Sequence, residues 1–167
     1  MRALVVYESF WGNTKAIAEA VAAGLGGAQV TEVSEVAEVR WEELDLLVVG
    51  GPTHAFSMSR PSTRRDAHTQ GATAGADERG IRDWLGTLPA DLPVPVATFD
   101  TRATMVRNLP GSAAKAAGKE LRRHHHGRVV DRCSFYVEDS AGPLADGELE
   151  RAAAWGAQLA ATATPVR

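Results

Sequence analysis

"VVYESFWGNT", residues 5–14, joins two kinds of periodicity and decides the fold. The β-branched run "ALVVYE" (3–8) reads as a fully buried strand. It breaks into Ser9-Phe10-Trp11-Gly12-Asn13-Thr14. Beyond the break, Ile17, Val21 and Leu25 recur on one helix face until Gly26-Gly27 stops the helix. Small polar residues at such a handover leave backbone N–H groups unpaired at the positive end of a helix dipole, which makes a ready anion site. Ser9 and Thr14 add hydroxyls, Asn13 adds an amide, and Gly12 lets a ligand approach the backbone. Lys15 is the nearby cation, so neutral donors dominate. A plain helix cap made by Asn13-Thr14 is the alternative.

The same alternation continues along the chain. "AQVTEV" (28–33) is a second strand, and "LDLLVVGG" (44–51) is a buried third strand ending in Gly50-Gly51-Pro52. Between them, 34–43 has room for a helical turn or two. A long polar segment, 53–77, is rich in Ser, Thr, Arg, Gly and His and is expected to be partly mobile. A helix over "DERGIRDWLGTL" (77–88) and a strand at "VPVATFD" (94–100) follow. Next come a helix over "GSAAKAAGKELRRHHH" (111–126) with Ser112 as N-cap and a strand at "RVVDRCSFYVED" (128–139). "DGELERAAAWGAQLAA" (146–161) is the closing helix. The pattern predicts one α/β domain over 1–167, a three-layer doubly wound sandwich on a five-stranded parallel sheet in order 2-1-3-4-5. Ligands of such sheets bind beyond the carboxyl ends of the strands, where the order reverses. "ESFWGNT", "GGPTHAF" and "FDTRATMVRN" converge there.

Apolar content of 44%, charged content of 23% and a net charge of −3 suit an ordinary globular domain and call for neither nucleic acid nor membrane. "MRALVVYE" turns polar too soon for a signal peptide, and a cytoplasmic location is expected. Cys133, the single cysteine, excludes an internal disulfide and reads as a buried small side chain. Charge is uneven. Residues 31–45 are acidic and 115–128 basic, either as two solvated faces or as a docking surface for a charged partner. His124-His125-His126 point in three directions on a helix and cannot converge on one ion, so no metal is expected.

"YESFWGNTKAIAEAVAAGL" resembles the phosphate-binding loop and first helix of the flavodoxins. Ser9, Gly12 and Thr14 match their Thr/Ser-x-Thr-Gly-x-Thr pattern, with Asn13 a common occupant of its place. "VVGGPTH" resembles their second flavin loop, "TFDTR" the start of the third, and "FYVEDSAGPLADGELERAAAWGAQL" their final strand and helix. The resemblance covers nearly the whole chain. It implies noncovalent FMN with its phosphate at Ser9, Phe10, Trp11, Gly12, Asn13 and Thr14. Pro52, Thr53, His54, Ala55 and Phe56 would flank the ring on one side. Thr101, Arg102 and Ala103 would line the other, with Asp100 at the strand end.

There are departures. Trp11 replaces a hydroxyl residue and removes one phosphate donor; it is either a lid or a surface aromatic. His54 and Phe56 serve one ring face, and no Trp or Tyr stands at 100–108. The acidic rim of the family's electron carriers is replaced by Arg60, Arg64, Arg65, Arg102 and Arg107. Reduced FMN carries negative charge, so these arginines are expected to make the two-electron potential less negative. One unit charge at close range is worth up to about 4 kcal/mol before screening. His54 stands in a flavin loop and is a candidate to tune flavin protonation.

Three functions stay open. The resemblance implies an FMN-binding electron-transfer protein working with a redox partner protein, a reductase or an acceptor, with no catalytic side chain of its own. An FMN-dependent reductase of quinones or nitro compounds would use 53–77 as a lid or dimer contact. A degenerate flavodoxin-like interaction domain would bind no FMN. Fold alone does not separate them.

Overall fold

The computed structural model describes residues 1–163. The strands are β1 (Ala3–Tyr7), β2 (Gln29–Glu32), β3 (Leu46–Pro52), β4 (Val96–Ala103) and β5 (Val129–Val137). All pair in parallel, in the order β2-β1-β3-β4-β5. The helices are α1 (Asn13–Gly24), α2 (Pro61–Thr69), α3 (Ile81–Leu85), α4 (Ala113–His124) and α5 (Glu148–Ala163). The five-stranded doubly wound sandwich expected from the strand pattern is the one observed.

Alternation along each strand builds two cores. Val5, Val48 and Phe99 face α1 and α5, where Ile17, Val21, Phe135 and Trp155 complete one layer. Leu4, Val6, Leu47 and Val49 face the other way, under α3, α4 and a strap of chain over 33–44. Close approach of α1 to α5 depends on two glycines. A Cβ on Gly24 would overlap the Ala153 carbonyl, and one on Gly156 would overlap that of Val21.

The strap holds the short helical turns expected there, at Val33–Glu35 and Trp41–Glu43. Ser112 caps α4, its Oγ accepting from the Lys115 N–H at 3.2 Å. Two expectations change. The helix over 77–88 shortens to α3, because Gly86 and Pro89 interrupt it; Leu88 and Leu92 still reach the core from irregular chain. The polar segment 53–77 is no open loop but contains α2, with Pro61 in its first turn. Cys133 is only half-buried. The three histidines diverge: His125 meets the Pro89 carbonyl, His126 meets Asp91, and His124 lies near Glu120. No helix among the described residues is long and apolar enough to cross a membrane.

Candidate functional site

A crevice of about 470 Å³ opens beyond the carboxyl ends of β1, β3 and β4. This size suits a small-molecule or cofactor site. Its first wall is the β1–α1 loop. Gly12 adopts φ of +90°, a left-handed conformation that glycine accepts without strain, and its N–H donates to Ser9 Oγ at 3.1 Å. No side chain caps α1. Asn13-Thr14 is therefore not a cap, and the alternative weighed from the sequence falls. The first helical bond at this end runs from the Ala16 N–H to the Gly12 carbonyl, so the N–H groups of Asn13, Thr14 and Lys15 precede the helical ladder. Buried Thr14 shares a 2.7 Å hydroxyl–hydroxyl bond with Thr101 of β4. With Thr101 as donor, the Thr14 proton is left for a ligand.

The second loop turns tightly. The His54 N–H donates to the Ser57 carbonyl at 2.8 Å, and the Ser57 N–H returns to His54 at 3.1 Å. Ala55 and Phe56 form the tip with φ of +47° and +63°. Positive φ at both central residues is the demand of a type I′ turn, normally met by Asn-Gly. An Ala-Phe pair there is strained, and such strain gathers at functional sites. Phe56 is 50% exposed and Met105, in the third loop, 84% exposed, so two apolar side chains stand open at the crevice mouth. The Arg102 guanidinium pins the third loop by donating to the carbonyls of Val106 (2.6 Å) and Leu109 (3.1 Å).

Of the residues assigned to the cofactor from the sequence, all but Gly12 and Asp100 line the crevice. Gly12 sits within the loop between two that do. Asp100 is wholly buried behind the crevice, where its Oδ2 accepts from the Ala114 N–H at 2.9 Å. Burial pushes its carboxyl up, against that hydrogen bond. Trp11 is half-buried in the crevice wall.

A further wall escaped the sequence: Thr63, Asp66 and Ala67 of α2, with Gln70 at its C-cap. Pro61 as the first helical residue was the available signal. Arg64 anchors this helix and is fully buried. Its Nε donates to Ser59 Oγ (2.9 Å), and its two terminal nitrogens donate to the Asp77 carbonyl (2.8 Å) and Asp83 Oδ2 (2.5 Å). Ser59 in turn donates to Glu8, the buried acid just beyond β1. Arg64 Nε is 3.5 Å from Glu8 and already committed to Ser59, so it satisfies the carboxylate poorly. Burial accordingly pushes the Glu8 carboxyl up to about 7, against Ser59 and Arg64. Among the arginines expected to act on a flavin, Arg64 is therefore tied into a buried network. Arg60, Arg65 and Arg107 are exposed, and Arg102 lines the crevice.

His54 packs on Phe10, ring centroids 5.2 Å apart, and its Nδ1 lies 3.2 Å from Thr63 Oγ1. Burial, then the Arg64 charge, lower its pKa to about 4, so it is a neutral imidazole near pH 7. The same Phe10 ring meets His68 edge-on, and the Phe10 carbonyl accepts from the N–H groups of Thr73 and Ala74. These contacts seal the chain around α2 onto the first loop.

No family model matches the chain, and no curated protein matches it significantly. Solved structures do. An archaeal flavodoxin aligns over 99% of this chain and 100% of its own, with a TM-score of 0.64 at 21% identity. Flavodoxin 1 of Bacillus cereus aligns over 95% and 96%, with a TM-score of 0.63 at 15% identity. A flavodoxin, WrbA-like protein of Agrobacterium tumefaciens aligns over 97% and 96%, with a TM-score of 0.56 at 19% identity. Across its whole length, this chain has the fold of the flavodoxins.

Proposed function

We propose that this protein binds FMN in the crevice and serves as an electron-transfer protein of the flavodoxin type, working with a redox partner protein in the cytoplasm. The observation that carries the proposal is the uncapped N-terminus of α1, opening with Ser9 and Thr14 onto a crevice at the switch point between β1 and β3. Its free N–H groups and two hydroxyls fit a phosphate without a cation in the loop. The remaining length of crevice, between Pro52–Phe56 and Thr101–Ala103, fits a planar ring. Bound FMN supplies one- and two-electron transfer. The chain's own part is to hold the phosphate, orient the ring and set the charge around it. Arg102 is the arginine that lines the crevice, so it carries the expectation of a less negative two-electron potential. In a potentiometric titration, Arg102→Gln should move that potential to a more negative value.

The test of binding is a titration of protein into free FMN, followed by quenching of flavin fluorescence. Saturation at one equivalent is expected. No quenching at micromolar protein would overturn the proposal and leave an interaction domain without cofactor. A reductase of quinones or nitro compounds is a second possibility, favoured by the open apolar mouth at Phe56 and Met105. It predicts oxidation of a pyridine nucleotide by the FMN-loaded protein without any partner reductase.

A further inference from the structure

Two charged surfaces lie outside the crevice. On α4, Lys115, Lys119, Arg122 and Arg123 share the face opposite to buried Ala114, Ala117 and Leu121. All four are exposed, as is Arg128 just beyond the helix. Among the described residues, none of their side chains joins an ion pair or hydrogen bond. On the strap, Glu35, Glu38 and Glu42 are exposed and likewise unpaired, whereas Glu43 is tied to Arg2 and Arg40.

Both surfaces cover the same face of the sheet. The α4 helix packs on β3, β4 and β5. Val36, Val39, Trp41 and Leu44 of the strap pack against the same core on the β1 and β2 side. Between them lies α3, whose Trp84 meets Trp41 at 6.4 Å between ring centroids. The two charged columns also run the same way. The α4 helix starts at the carboxyl ends of the strands, where the Ala113 N–H meets Thr53, and finishes at their amino ends, where the Leu92 N–H meets the His125 carbonyl. The strap leaves the carboxyl end of β2 and enters the amino end of β3. Glu35, Glu38 and Glu42 thus descend one side of the face as Lys115, Lys119 and Arg122 descend the other.

We propose that this face associates with a second copy of the chain, the strap of each copy lying on α4 of the other. A two-fold axis parallel to the strands exchanges left and right but keeps height along the strands. It brings Glu35 to the level of Lys115 and Glu42 to the level of Arg122 and Arg123, twice over. The contact is isologous and closes at a dimer. The occupant is identified by complementarity: the unpaired cations of one copy meet the unpaired anions of another, whereas a two-fold axis in the face but perpendicular to the strands would set α4 on α4 and like charges together. Charged contacts of this kind are screened by salt.

Sedimentation velocity of the full chain tests this, with circular dichroism as the folding control. At low ionic strength a dimer is expected, with association weakening at least tenfold on going to about 500 mM salt. K119E/R122E/R123E and E38K/E42K, each giving both surfaces the same net sign, should be monomers at low salt. Their mixture should recover a dimer, since both contacts are then opposite in sign; two misfolded variants could not rescue one another. A wild-type monomer at low salt, a salt-insensitive dimer, or a mixture that stays monomeric would each overturn the proposal. Wild-type species larger than a dimer would overturn the two-fold arrangement. A monomer that instead binds an acidic protein would assign α4 to a different occupant. None of these outcomes depends on FMN.

Discussion

The two walls of the crevice use polar groups in opposite ways. In the β1–α1 loop, the N–H groups at the start of α1 and the Thr14 hydroxyl are held in place with capacity unspent. In the buried network behind the α2 wall, the polar groups are spent on one another: Arg64 on Ser59, Asp77 and Asp83, and Ser59 on Glu8. The first arrangement suits a ligand, because donors already oriented lose little entropy on binding. The second suits a scaffold, since a buried guanidinium is tolerated only when its donors are satisfied. One wall should therefore register damage as lost affinity and the other as lost stability.

The sharpest break of that contrast is Arg64→Ala. It strands the buried Ser59–Glu8 pair and removes the charged partner of Asp83, which keeps the Gly80 N–H. Removing one member of a buried ion pair costs about 3–5 kcal/mol, and half-exposed Asp83 can rehydrate, which favours the lower figure. Urea unfolding should show the midpoint falling with the slope unchanged. Ser9→Ala/Thr14→Ala is the counterpart. Each hydroxyl lost from a charged ligand costs about 1.5 kcal/mol of binding, roughly tenfold in dissociation constant. The FMN titration should weaken accordingly, while stability drops only by the neutral bonds to Gly12 and Thr101. If Arg64→Ala left stability intact, or the loop pair left binding intact, the division between the walls would fail.

The same contrast explains what could be read in advance. The first loop was legible because hydrophobicity changes period there, from a strand's apolar run to a helix's spacing of four. The switch point, the strand order and the three converging loops followed. The α2 wall was not legible, because its buried face carries Arg64 and Ala67 rather than an apolar stripe. Hydrophobic periodicity is blind to a buried guanidinium. Glu8 was visible as an acid at a strand end, but its partners come from Ser59 and Arg64, far along the chain. Asp100 was placed at the right strand end, yet strand alternation turns it toward α4 and away from the crevice.

Two titrating groups sharpen the contrast further. Glu8, pushed up to about 7, keeps a proton in the folded chain that the unfolded chain loses near its ordinary value of about 4.3. Its contribution to stability falls as pH rises through that window. His54, lowered to about 4, lacks in the folded chain a proton that the unfolded chain holds below about 6.5. Its contribution falls as pH drops. The slopes oppose, so these two contributions largely cancel between pH 5 and 8, while Asp100, also pushed up by burial, adds the same carboxyl slope to the wild type and to either variant. Glu8→Gln leaves the histidine slope, and stability should rise by roughly 2 kcal/mol over that range relative to the wild type. His54→Gln leaves the carboxyl slope, and stability should fall by roughly the same amount relative to the wild type. Urea unfolding at both pH values checks this. Asp83 and Glu148, whose pKa values are lowered, act below the range. Parallel profiles for all three proteins would show that neither group is perturbed as its surroundings require.

The smallest effect concerns the strained turn between the walls. Ala55 sits at φ of +47° with an exposed side chain, so it makes up for the conformation with no packing of its own. Left-handed backbone costs an L-residue about 1–2 kcal/mol, and glycine avoids it at the expense of about 0.5–1 kcal/mol of unfolded-chain entropy. Ala55→Gly should therefore gain about 0.5–1 kcal/mol, a rise of roughly 2 °C in melting temperature. A stability gain from a single exposed methyl would place this turn with the first wall rather than the second. Its geometry would then be kept at a cost to the fold, as expected of a segment that presents Phe56 and His54 to a ligand. The α2 network predicts the reverse, since every group in it is retained by the stability it confers. A loss on Ala55→Gly would instead assign the turn to the scaffold, and the ligand wall would end at Thr14 and Thr101.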